Sequence, residues 1–310
     1  MTLPIERAAL VAHARERIER GSKSFRFASR LFDPVTRERS WLLYAWCRAC
    51  DDLADGQSLG HEAERVTDPK RRLLYLTTQT RRALAGQPCL DLPFDALRQV
   101  AAECTLPHRF IEDHLAGFAR DCEGWSPATE EDLLSYCYQV AGAVGCLMAV
   151  IMGVSPNDEE TLQRACDLGI AFQLTNIVRD IGEDHSVGRC YLPGDWLKHA
   201  GLKRDGLMEP ANREQLVALA GRLHRQALAY RDSARVGAAV LPIRSRWAVL
   251  SAARIYGAIA DKVHARGAAA WDGRVTVPKH EKLAHVMAAA GEATMPPRPI
   301  ARAGLWTLPR

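Results

Sequence analysis

Three stretches of this chain open in the same way, with a side chain able to cap a helix followed by proline in the first helical position. They are Asp33-Pro34, Asp68-Pro69 and Ser155-Pro156. The capping oxygen satisfies an amide that the first helical turn leaves open, and proline has no amide to lose there. A fourth start, Thr129-Glu130-Glu131-Asp132, has the reciprocal pattern of a capping box. Beyond these points apolar residues recur at three- and four-residue steps, the period of one helix face. Strand-like alternation is nearly absent, and its one instance, Arg274-Val275-Thr276-Val277, is too short to build a sheet. The pattern predicts helices over 5–19, 35–56, 69–85, 93–104, 107–121, 129–153, 156–184, 211–233, 239–266 and 278–290. Such a chain can bury its apolar faces only helix upon helix, so the fold class is all-α.

No linker rich in proline, glycine or serine divides the chain before its end, and no internal repeat is evident. The expectation is one helical domain over 1–290, with long helices around a central space, and a flexible tail over 291–310. That tail carries Met295-Pro296-Pro297-Arg298-Pro299 and is poor in helix formers. A length of 310 residues suffices for a sizeable core.

The net charge of +4 is too mild to argue for nucleic acid. It suits anionic small molecules or a loose contact with an acidic membrane surface. No stretch approaches the roughly 18 uninterrupted apolar residues of a membrane span. The first twenty residues contain acidic side chains and no apolar core, unlike a signal peptide, so a cytoplasmic protein is expected. Cys47 and Cys50 have CxxC spacing, but no second pair or matched histidines accompany them. They read as reduced thiols of a buried helix.

The strongest functional signal is a placement of charge that a purely structural helix would avoid. Helix 35–56 is strongly apolar, yet it ends in Asp51-Asp52-Leu53-Ala54-Asp55. Asp51 and Asp55 stack on one face, with Arg48 and Tyr44 behind them on the same stripe. Like charges at this spacing repel, and the helix C-terminus disfavours anions, so something cationic should offset the cost. Helix 156–184 repeats the arrangement with a polar stripe at Gln173, Asn176, Asp180 and Asp184, while Leu174, Ile177, Val178 and Ile181 between them are apolar. A single acidic motif is a common way to end an exposed helix. Two of them, each with Arg or Asn one turn earlier on an apolar helix, point into a wet functional cavity.

Carboxylates, carboxamides and water suit a hard cation, magnesium first, which bridges protein carboxylates to substrate phosphates. Calcium fits less well, since no EF-hand loop is present. Two such helices facing each other would clamp ions around a diphosphate, with Arg48 and Arg179 neutralising charge on the leaving group.

These residues, with three further motifs, carry a resemblance to the bacterial, phytoene-forming members of the squalene/phytoene synthase family. The motifs are Ser22-Lys23-Ser24-Phe25, Tyr44-Ala45-Trp46-Cys47-Arg48 with the first acidic motif, Tyr136-Cys137-Tyr138-Gln139-Val140-Ala141-Gly142, Gln173 to Asp184, and Gly188-Arg189-Cys190-Tyr191-Leu192-Pro193. They occur in the family's order between Gly21 and roughly Ala290. The resemblance implies the isoprenoid synthase fold, with a central cavity lined by the two acidic helices. It implies magnesium, with manganese as substitute, on Asp51, Asp55, Asn176, Asp180 and Asp184. It further implies that Arg48, Gln173, Asn176 and Arg179 meet ions or diphosphate, that Ser22 and Ser24 lie on a flap, and that Arg274 is a diphosphate contact. Tyr44, Tyr136, Tyr191 and Tyr256 match tyrosines near the reacting carbons or the diphosphate, though Tyr256 could equally be an ordinary core residue.

The implied reaction joins two geranylgeranyl diphosphates head to head. One loses diphosphate to an allylic cation, the double bond of the other attacks it, and a proton is lost to give a cyclopropyl diphosphate. This then ionises again, rearranges and loses a second proton to give phytoene. No NADPH is expected. The cavity must then be long, dry and apolar, because water quenches cations. Ala141, Gly142, Val144, Gly145 and Met148 offer such a lining, and the glycines among them suit close helix packing equally well. Ala54 and Ala143 depart from commoner residues of the motifs and leave chain-length preference open. The alternative is a sibling acting on farnesyl diphosphate, a dehydrosqualene or squalene synthase; a non-catalytic scaffold would be expected to lose the aspartates, which are all present. Greasy substrate and product make peripheral contact with a membrane, and hand-over to downstream carotenoid enzymes, a physical expectation. Lys70-Arg71-Arg72 with Arg81-Arg82 is a candidate surface for it, although such a run also serves as a solvated helix face.

Overall fold

The computed structural model describes residues 5–21, 23–55 and 68–309, with the side chains of all of these except Lys23, Ser24, Ala54 and Asp55. Among the described residues there is no strand. The helices are α1 (Arg7–Gly21), α2 (Lys23–Ser29), α3 (Pro34–Asp55), α4 (Pro69–Leu84), α5 (Leu92–Glu103), α6 (His108–Cys122), α7 (Glu130–Cys137), α8 (Ala143–Ile151), α9 (Glu159–Ser186), α10 (Gly194–His199), α11 (Arg213–Gly237), α12 (Ile243–Arg266) and α13 (Lys279–Ala293). The all-α class expected from the sequence is the class observed.

Most predicted starts are capped as the sequence suggests. Asp33 Oδ1 accepts from the amides of Val35 and Thr36 at 3.0 Å each. Asp68 accepts from the Arg71 amide at 3.0 Å. Thr129 and Asp132 form the reciprocal box, at 3.2 and 3.0 Å. Ser155-Pro156 is the exception. It belongs to a turn closed by the Asp158 amide on the Ser155 carbonyl at 3.0 Å. The helix starts later, at Glu159, because Asp158 caps the Thr161 amide at 3.1 Å and Glu159 and Glu160 follow in the first turn, where anions are favoured.

Other boundaries also move. The continuous helix expected over 129–153 is interrupted by a π turn at Tyr138–Gly142, where the Ala143 amide reaches back to the Tyr138 carbonyl. The helix expected from 239 begins at Ile243, because Leu241 precedes Pro242 and is extended. Two short helices, α2 and α10, have seven and six residues, too few to show a period. Val275 and Val277 are buried as their alternation implies, but on a segment without regular secondary structure.

Helix α9 runs through the middle of the fold, packed by α11, α8, α12 and the π turn. Its approach to the π turn and α8 is too close for any side chain larger than hydrogen. A Cβ on Gly169 would stand 2.3 Å from the Ala141 carbonyl oxygen, and one on Gly145 would stand 2.5 Å from that of Ala165. On the far side α3 packs against α1 and α5. The run Glu130–Ile151 has the length and composition of a membrane span, and 61% of its most apolar 18-residue window is buried inside the fold. Beyond α13 the chain lies along the body. Trp306 donates its amide to Tyr230 at 3.0 Å and its indole to Glu131 at 2.6 Å, and the Leu308 amide reaches Gln163 at 2.7 Å.

Candidate active site between two acidic helices

A cavity of about 590 Å³ opens between α3 and α9. Along α9 its lining runs from Thr161 to Asp184, roughly 35 Å of helix axis at about 1.5 Å per residue. The stripe Gln173, Asn176, Asp180 and Asp184 faces this cavity, and Ile177 lines it beside them, while Leu174, Val178 and Ile181 are buried in the surrounding core. From α3 come Tyr44, Cys47, Arg48 and Asp51. Further toward its N-terminus α9 presents the apolar Ala165, Leu168 and Phe172, with Thr161 and Arg164 beyond them, so along this helix the lining passes from an acidic end through an apolar stretch to a basic group.

Both acidic groups sit where their helices end, Asp51 near Asp55 and Asp184 near Ser186. Aligned peptide dipoles make these positions unfavourable for anions. Arginines from the same helices compensate in part. Arg48 bonds Asp52 at 2.7 Å and approaches Asp51 at 3.5 Å. Burial works against the charge on Arg48, but Asp51 and Asp52 outweigh it and raise its pKa. Arg179 grips Asp180 at 2.7 and 2.5 Å, with the same balance of burial against carboxylate. Asp52 is additionally held by Arg17 at 2.9 Å, which makes it a structural member of the motif rather than a cavity group.

Arg274 is half exposed, paired with Glu183 and 3.6 Å from Asp180, and is not itself among the residues lining the cavity. Tyr256 lines the cavity and stacks on Phe172, ring centres 4.1 Å apart, and burial raises its phenol pKa. Tyr44 also lines the cavity beside Phe25 at 5.4 Å. Ser22 and the side chains of Ser24 and Asp55 lie outside the described residues. Of the small residues expected at the lining, Ala141, Val144, Gly145 and Met148 are there. Gly142 instead faces Cys166, whose Sγ would lie 2.8 Å from an added Cβ. Gly145 does both jobs, since it lines the cavity and permits the helix contact.

Tyr136 and Tyr191 come together as a stacked pair, 5.1 Å between centres and 15° between planes. Both phenols donate to a residue that the sequence reading did not single out, Asp121 of α6. Tyr136 Oη lies 2.9 and 3.0 Å from its two oxygens, and Tyr191 Oη lies 3.2 Å from one. A signal for it existed. His114, Phe118 and Asp121 fall at steps of four and three on α6 and all line the cavity, so the carboxylate continues an otherwise apolar stripe. His114 itself is fully enclosed, bonded through Nδ1 to the Gln139 carbonyl at 3.0 Å in the π turn, and burial lowers its pKa to about 4.

The donor set suits a hard divalent cation bridged to diphosphate: carboxylate and carboxamide oxygens on opposed helices, at two helix ends that call for positive charge. The apolar stretch of the cavity suits a hydrocarbon chain. Taken together, the two kinds of lining suit a diphosphate ester of a long hydrocarbon.

Comparison with known proteins agrees. The squalene/phytoene synthase family model matches residues 18–281. The chain is 46% identical over 309 residues to a 15-cis-phytoene synthase of Pantoea ananas, covering 97% of this chain and 98% of that one. It is 43% identical over 304 residues to a 15-cis-phytoene synthase of a Paracoccus species, covering 97% and 98%. Among solved structures it is similar to a dehydrosqualene synthase determined with ligand, with TM-score 0.82 and 28% identity over 92% of this chain and 96% of that one. It is also similar to the squalene synthase HpnC of Alicyclobacillus acidocaldarius, with TM-score 0.75 and 25% identity over 86% and 97%. A cavity lined by two acidic helices, together with a family match across most of the sequence, places this chain in the squalene/phytoene synthase family.

Proposed function

We propose that the chain is a 15-cis-phytoene synthase that joins two geranylgeranyl diphosphates head to head through prephytoene diphosphate and releases two diphosphates. The observation that carries this reading is the conjunction of the cavity's acidic end and apolar stretch with a near-full-length match to phytoene synthases. Asp51, Asp55, Asn176, Asp180 and Asp184 would hold magnesium, with manganese as substitute. When bound, the ions supply positive charge against the departing diphosphate. Arg48, Gln173, Arg179 and Arg274 bind and orient that diphosphate, with Ser22 and Ser24 over it. Phe172, Val144 and Met148 keep water from the hydrocarbon, and Tyr44, Tyr136, Tyr191 and Tyr256 face the reacting carbons. No NADPH takes part, since the product retains its central double bond.

The substrate and product are carried by membranes, so a cytoplasmic enzyme with peripheral contact to the bilayer and to downstream carotenoid enzymes follows from their chemistry. The basic side of α4 is a weak candidate for that contact. Lys70, Arg71, Arg81 and Arg82 are exposed, but Arg72 and Arg82 are turned to the Leu53 and Pro88 carbonyls, as on an ordinary solvated face.

The test is a product assay with magnesium and no reductant, offering geranylgeranyl and farnesyl diphosphate in parallel. A forty-carbon conjugated triene from the longer substrate, lost on chelation, is expected. A thirty-carbon product from the shorter substrate alone would move the assignment to a dehydrosqualene synthase.

A further inference from the structure

The stacked tyrosines and the carboxylate beneath them come from three separate elements. Asp121 closes α6, Tyr136 belongs to α7, and Tyr191 sits in the loop that follows α9. Trp125 extends the stack, 5.3 Å from Tyr136, and Arg120 lies over its ring at 4.8 Å. Nothing about helix stability asks for a carboxylate here. Asp121 lies in the last turn of α6, where the helix dipole opposes it. It lines the cavity together with both tyrosines, and its oxygens are the point where the two phenol protons meet.

We propose that Asp121 is a positioning residue for the condensation: by holding the hydroxyl protons of Tyr136 and Tyr191 it turns both phenols into fixed, electron-rich walls for the cationic intermediates. This rests on the phytoene synthase reading above. A phenol free to rotate can point its O–H dipole toward a cation and raise the energy of that cation. With the proton committed to Asp121, the phenol presents oxygen lone pairs and the negative face of its ring. The phenols keep their protons throughout, because burial, and after it the Asp121 charge, pushes both pKa values far up. No proton changes hands in this role. The carboxylate also adds a negative charge near a cavity in which positive charge travels between carbons, an arrangement that is set before the reaction begins.

The test is steady-state kinetics of Asp121→Asn with geranylgeranyl diphosphate and magnesium, beside the wild-type chain. Asn preserves the shape and removes the charge. The expected result is a fall in kcat of about 10²-fold or more with KM within about threefold, an unchanged thermal midpoint, and prenyl alcohols appearing as water-quenched products. Adding Tyr136→Phe to Asp121→Asn should cost less than about threefold further, because Asp121 acts through that phenol. A kcat within threefold of wild type, a loss confined to KM, or losses that multiply in the double variant would overturn the role. Should Asp121→Asn not fold, Tyr136→Phe, which removes one oxygen, decides the matter. A tenfold or greater loss in kcat at normal KM supports the role, and wild-type kcat overturns it. A wild-type chain that makes no phytoene overturns the functional reading, and this role with it.

Discussion

The carboxylate of Asp167, on the helix that carries the second acidic motif, has no exposed surface and is bridged by Arg302 from the C-terminal segment through bonds of 2.7 and 2.8 Å. Ser233 of α11 donates to the same carboxylate at 2.5 Å. The segment after α13 is thereby tied to the helix that shapes the cavity. Breaking one side of a buried pair leaves an uncompensated charge, which costs about 3–5 kcal/mol, whereas replacing both sides is far milder. Arg302→Met should therefore lower unfolding stability by that amount. Asp167→Asn in the same chain should restore most of it. Denaturant unfolding of the single and double variants checks this, and equal stability of Arg302→Met and wild type would contradict it.

Asp51→Asn and Asp180→Asn should each reduce phytoene formation by at least about 10²-fold while leaving the fold intact. Removing an anion from near the end of α3 should leave the Asp51→Asn midpoint equal to wild type or slightly higher. Chelation of divalent ions should mimic both variants in the wild-type chain and be reversed by added magnesium. Full turnover in both variants would defeat the two-helix arrangement.

Gly169→Ala should destabilise the protein by at least about 2 kcal/mol, because the new methyl would stand 2.3 Å from the backbone oxygen of Ala141 and neither helix can give way cheaply. Gly291→Ala makes the contrast. Its Cβ meets nothing within 4 Å in helix α13, so it should be neutral or gain about 0.5–1 kcal/mol. Thermal unfolding of the two variants separates close packing from helix propensity.

Glu103 joins three helices, accepting from Arg7 of α1 at 2.6 Å, Arg39 of α3 at 2.9 Å and Gln99 of its own α5 at 2.8 Å. Burial pushes its carboxyl up, but Arg7, Gln99 and Arg39 outweigh burial and bring it down to about 2 from 4.5. A folded-state pKa below the unfolded one means that the unfolded chain binds the proton first as pH falls. The stabilisation is thus fully present above about 4.5 and is lost on the way down to about 2. Glu103→Gln should be less stable than wild type at pH 7, with the gap closing across that window. Denaturation midpoints of both proteins at pH 7, 4.5 and 3 test the sign.

Helix existence was readable because capping residues and apolar period are local properties. Where a boundary moved, a competing local signal or a neighbour decided it. Asp158 out-caps Ser155, and the π turn at Tyr138–Gly142 lies where the Gln139 carbonyl is taken by His114 from another helix. The polar stripe on α9 was legible for the same reason as the helix itself, since residues three and four apart must share a face.

What the chain order could not reveal is which side chains from distant segments meet. Asp121 precedes Tyr136 by 15 residues and Tyr191 by 70, and only the packing of α6, α7 and the loop after α9 brings the three to one point. Arg302 reaches Asp167 across 135 residues, from a segment whose composition points to no structure at all. The sequence by itself determined the helical class, the two acidic faces and the ion chemistry they suit, because charge spacing along one helix is set by its pitch. Only the tertiary structure decided which wall those faces share, how glycine lets the walls close, and which third carboxylate sets the tyrosines, because each depends on the approach of helices that no local rule connects.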